Sequence, residues 1–157
     1  MISRKQVLFI LAIALASNSC SNKGNWKVDK INSGSTLHSS TRISSLSNKA
    51  SNQIHLEIFK LQEGTRGYIF SKSHPIPCFE QNPTQTALTI KTDDEILFYL
   101  GARHEGGQRI LLPPDALEKI ISSLKNGISI TIEVPGAETT LNPKGFPKDT
   151  KKLSFFL

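Results

Sequence analysis

Residues 113–134 read PPDALEKIISSLKNGISITIEV, and this stretch holds one change of hydrophobic period. Leu117, Ile120, Ile121 and Leu124 fall at i, i+3, i+4 and i+7, which puts them on one face of a helix with Glu118, Lys119, Ser122 and Lys125 outward. Pro113-Pro114-Asp115 marks the start: proline is tolerated in a first turn, and a carboxylate there suits the helix dipole. Asn126-Gly127 marks the end, after which Ile128, Ile130, Ile132 and Val134 alternate with Ser129, Thr131 and Glu133. The period has dropped to two, so the chain continues as a strand with one buried face.

Other segments repeat the strand pattern. Upstream, Ile54, Leu56 and Ile58 alternate with His55 and Glu57, and Glu63-Gly64-Thr65 turns the chain into Gly67–Ser71, which predicts a hairpin. Pro75 and Pro77 reduce residues 76–80 to an edge strand or an extended crossing. Residues 86–91 and 95–102 are further strand candidates on either side of Asp93-Asp94, and His104-Glu105-Gly106-Gly107 turns into 108–112. Downstream, Pro135-Gly136 ends the strand of the opening stretch, 139–141 returns as its partner, and Leu153–Leu157 is a last apolar strand candidate. These elements predict an α+β, β-dominated domain over residues 53–157, an antiparallel curled sheet or half-barrel packed against one helix.

Residues 21–52 differ in composition. They carry nine Ser and five Asn, and the apolar residues Trp26, Val28, Ile31, Leu37, Ile43 and Leu46 keep no sustained period. The expectation is a disordered tether reaching about 30 Å, since such a segment buries too little apolar surface to order itself. On that reading Trp26 sits at a lipid interface, lies exposed, or docks on its own domain. Before the tether, Arg4 and Lys5 precede an uncharged apolar run, Val7–Leu15, and small residues lead to Cys20. Residues 1–20 therefore read as a signal peptide, too short for a transmembrane helix.

Two cleavage readings place the protein differently. Ala14-Leu15-Ala16 offers a small-x-small site, with cleavage after Ala16. Leu15-Ala16-Ser17-Asn18-Ser19-Cys20 resembles a relaxed lipobox of bacterial lipoproteins, and the resemblance implies a lipidated Cys20 as first mature residue and a lipid anchor in the cell envelope.

Charge narrows the partner classes. The chain has 19 Lys plus Arg against 13 Asp plus Glu. The excess lies in Arg4 and Lys5, and in Lys23, Lys27, Lys30, Arg42 and Lys49 against the single Asp29 of the tether. From Gln53 onward the two signs balance, which argues against nucleic acid, since such a domain concentrates basic charge on its fold. Lys144, Lys148, Lys151 and Lys152 with Asp149 form a small basic patch, read as a solvated loop or a contact for an anionic surface.

Chemistry-bearing residues are sparse. His74, Cys78 and Glu80 lie within seven residues, but a structural zinc site needs four ligands, so no metal, cofactor or catalytic residue is assigned. Cys20 and Cys78 are the two cysteines, and no disulfide framework exists. Cys78 reads as a buried inert thiol, with intermolecular pairing as the alternative. His104 and Glu105, at a hairpin tip, are contact candidates because imidazole titrates near neutrality. Three functions stay open: a non-enzymatic, membrane-anchored envelope lipoprotein with a protein or cell-wall partner; a soluble exported binding or inhibitor protein, periplasmic or secreted; and an enzyme using Cys78 with His74 or His104.

Overall fold

The computed structural model describes residues 25–31, 40–46 and 54–147. Within them the chain forms β1 (Trp26–Ile31), β2 (Ser40–Ser45), β3 (Ile54–Leu61), β4 (Gly64–Ser71), β5 (Gln85–Lys91), β6 (Ile96–Arg103), β7 (Arg109–Leu111), α1 (Pro114–Lys125), β8 (Ile130–Val134) and β9 (Ala137–Leu141). The nine strands make one sheet in the order β1-β2-β3-β4-β7-β6-β5-β8-β9, and each paired neighbour is antiparallel. The expected β-dominated architecture with a single helix among the described residues is therefore present. The sheet order did not follow from the strand pattern, because β7 inserts between β4 and β6.

Alternation decides which side chains enter the core. Ile54, Leu56 and Ile58 of β3, Ile69 of β4, Leu88 and Ile90 of β5, and Ile130 and Ile132 of β8 point to one side and are buried. Helix α1 adds Leu117, Ile120, Ile121 and Leu124 to the same cluster, the stripe its spacing predicts. Gly67 of β4 makes the close approach possible, since a Cβ there would stand 2.5 Å from Leu117 Cδ1 and 3.0 Å from Leu112 Cδ1. At the helix end, Gly127 takes φ +80 and its N–H donates to the Leu124 carbonyl at 3.2 Å, the left-handed stop glycine permits without cost. Outside the core, Lys119 pairs with Glu95 and ties the helix to the start of β6.

The expected tether is corrected. Both β1 and β2 lie inside residues 21–52, and the hydrogen-bonded unit includes Asn25, well before Gln53. These strands are too polar to stand alone, and their order comes from partners distant in sequence. Ile43 is buried opposite Ile58, Arg42 pairs with Asp29 at 2.9 Å, and Ser45 Oγ accepts from the Leu56 N–H at 2.9 Å. Trp26 docks on its own domain: its indole N–H donates to the Asn142 carbonyl at 2.8 Å, and its ring meets Phe146 edge-on at 4.8 Å. One corner of the first edge strand thus touches the residues that follow the last one.

Segment 76–80 forms no strand. Ile76 is buried, its N–H donating to the Gly107 carbonyl, and Phe79 bridges Asn82 across a tight turn. Arg103 holds this crossing down, with Nε donating to the Ile76 carbonyl at 2.8 Å and Nη1 to Pro83 at 3.2 Å. Among the described residues no helix is long and apolar enough to cross a membrane. The expected signal peptide with Cys20, and the strand candidate Leu153–Leu157, lie outside the described residues.

Candidate functional site

The outer face of the sheet, opposite α1, carries the chemistry. Residues directly across a ladder share a face. The pairs Arg42↔Phe59, Phe59↔Arg66, Glu57↔Tyr68, His55↔Phe70 and Phe70↔Arg109 therefore place these side chains together across β2, β3, β4 and β7. Their contacts are mutual. The Arg109 guanidinium lies 3.9 Å from the Tyr68 ring centroid and 5.5 Å from that of Phe59, and the two rings meet edge-on at 5.8 Å. Such a cation over aromatic faces contributes about 0.5–2 kcal/mol, depending on its desolvation.

Beside this cluster runs a network of compensated charge. Arg42 reaches Asp29 at 2.9 Å and Glu57 at 3.8 Å, while His55 Nε2 donates to Glu57 at 3.3 Å. Arg42, and then Lys27, hold the Asp29 carboxyl below the usual aspartate value. Burial holds the His55 imidazole below the usual histidine value, against the opposing pull of Glu57. His55 therefore stays neutral near pH 7, packed edge-on at 5.1 Å against Phe70.

On the other side of β7 the face turns apolar. Leu111 pairs with Ala102 of β6, and along β6 the outward residues Leu100, Phe98 and Ile96 are 43%, 79% and 56% exposed. Leu97 and Tyr99 take the inward positions of the same strand, with Tyr99 packed on the core. Two apolar faces on one strand are the rule for strands covered on both sides. Here the outer one has no cover among the described residues.

The sequence-based candidates are scattered relative to this face. His104 joins it: its ring lies 5.8 Å from the Tyr68 ring, and its backbone N–H donates to the Arg109 carbonyl at 2.9 Å. Glu105 sits exposed in the adjoining turn and makes no ion pair among the described residues. His74 lines a separate cavity of about 350 Å³ with Ser71, Ile76, Pro77, Pro135 and Ala137. Glu80 occupies a turn with Gln81, at φ 44 and 64, a backbone role unrelated to ligation. Among the described residues no group of three or more His, Cys, Asp or Glu could hold a metal.

The expectation of a buried Cys78 is overturned, for the thiol is exposed. Pro77 and the tight turn after it carry residue 78 along the surface, while the neighbouring Ile76 alone turns inward. Ellman's reagent should therefore modify Cys78 in the native protein as completely as in the denatured chain; protection in the native state would contradict this exposure.

No known family model, curated protein or solved structure matches this chain. The site is thus read from its own residues. Arg109, Tyr68, Phe59 and Phe98 were not singled out by sequence, yet one signal for Phe98 existed: residues 96–100 read ILFYL, an unbroken apolar run where a half-exposed strand would alternate.

Proposed function

We propose that the protein is a membrane-anchored envelope lipoprotein, held by acyl chains on Cys20, whose domain works as a non-enzymatic binding module through the outer face of its sheet. The observation that carries the binding role is the solvent-facing row Ile96, Phe98 and Leu100, contiguous through Ala102 and Leu111 with the Tyr68–Arg109 cluster. Apolar area of this kind, rimmed by polar groups, marks interaction surfaces. In this reading the sheet is curled into a half-barrel around α1, supported by the Trp26–Phe146 and Trp26–Asn142 contacts between its two edges. The partner is a protein or a cell-wall component. Anchoring rests on residues 15–20, where the lipobox resemblance places Cys20.

The anchor is tested by Cys20→Ala. Acyl chains contribute about 0.8 kcal/mol per buried CH₂, and two or more hold a protein stably where one does so marginally. The variant should move from the detergent-soluble membrane fraction to the aqueous one, and intact mass should show an acylated N-terminus at Cys20 in the wild type. A mature N-terminus at Ser17 with unmodified Cys20 would reject the anchor and make the protein a soluble exported binding module.

A further inference from the structure

Among the described residues, every strand cation of the outer face except one has a carboxylate partner. Lys27 and Arg42 share Asp29, Arg66 reaches Glu63 at 3.7 Å, and Lys91 pairs with Glu133. Arg109 has no ion pair or side-chain hydrogen bond among the described residues, although its guanidinium is fixed over Tyr68 and Phe59. The nearby carboxylate, Glu57, is engaged by His55 and Arg42. A guanidinium stacked on rings keeps its N–H fork in the plane, ready for a bidentate carboxylate, and its rotamer entropy is already partly lost.

We propose that Arg109 and the β6 row form a docking site for an extended acidic–apolar peptide segment of a protein partner, its carboxylate on Arg109 and its apolar side chains on Leu111, Leu100 and Phe98. This rests on the outer face being the binding surface. The charge pattern selects the occupant. A phosphate polymer or an anionic lipid surface is recognised by several uncompensated cations acting together, whereas among the described residues this face offers two, Arg109 and the exposed Lys72 near His55, with Arg109 beside an apolar row. Spacing agrees as well. The His104–Arg109 hydrogen bond places Arg109 beside the end of β6, from which Ala102, Leu100 and Phe98 recede along one face. At about 6.6 Å per pair of strand residues, Phe98 stands about 20 Å from that end. A seven-residue extended peptide with alternate side chains turned to the sheet spans that length.

The probe is acetyl-Glu-Ser-Leu-Ser-Leu-Ser-Phe-amide, with the Gln version as control, titrated into the ¹⁵N-labelled full chain. The Glu peptide should shift the Arg109 Nε–H and the Leu100 and Phe98 amides, and bind about tenfold more tightly than the Gln peptide, as a charge-assisted hydrogen-bond pair allows. Arg109→Gln, checked for an unchanged amide spectrum elsewhere, should erase that difference, and Phe98→Ser should weaken both peptides alike. Equal binding of the two peptides would overturn carboxylate recognition by Arg109 while leaving the outer face as a binding surface. No shift along β6 with either peptide would overturn both readings. Shifts produced instead by phosphatidylglycerol vesicles, and not by the peptides, would overturn the peptide in favour of a lipid surface.

Discussion

Ile121→Asp is expected to abolish stable folding. Ile121 is 1% exposed in the stripe that α1 presents to the sheet. Truncating a buried Ile costs about 2–5 kcal/mol before any charge is considered. The carboxylate then either stays ionised without a partner or takes up a proton, and both add to the loss. The total matches or exceeds about 4–5 kcal/mol, a large part of the roughly 5–15 kcal/mol that holds a domain together. Circular dichroism should show a Tm lowered by at least about 15 °C, or no folded baseline. Ser122→Asp, one residue on and exposed, is the control and should stay within about 0.5 kcal/mol of wild type. Equal stability of the two variants would mean that the helix presents a different face.

Gly101→Ala should be the next most damaging change, for a reason of space. Gly101 lies on the inward side of β6, and a Cβ there would stand 2.4 Å from Ile110 Cγ2 and 3.3 Å from the Leu111 carbonyl oxygen. Ile110 is fully buried and β-branched, so its methyl cannot swing aside without displacing β7. Overpacking of this kind costs about 1–3 kcal/mol, and here it strikes where β7 joins the β3–β4 half of the sheet to the β5–β6 half. Urea denaturation measures the loss. Ile110→Ala in the same chain should relieve part of it, giving a double variant more stable than the sum of the singles predicts. Strict additivity would show that the contact is not the cause.

Legibility in the sequence followed how locally each element is stabilised. Helix α1 was readable because Leu117 to Leu124 repeat at its own period and its two ends carry their stop signals. The β3–β4 hairpin was readable because Gly64 sits between two runs that alternate or turn apolar. Strands β1 and β2 were not, since Trp26 and Ile43 are their buried apolar residues and both depend on partners far along the chain. Of the residues placed on the outer face, the sequence marked His104 through its turn. It did not mark Arg109, because the setting of that residue over Tyr68 and Phe59 exists only once β4 and β7 are paired.

The hydrogen bond from Trp26 to Asn142 spans 116 residues and brings the first strand against the residues that follow the last one. A contact between residues so far apart closes a long loop, and the entropy of that closure is offset only by the contacts it completes. This corner also holds the molecule's one tryptophan. Indole fluorescence is therefore a direct optical gauge of the seam between Trp26 of the first strand and the residues that follow the last one.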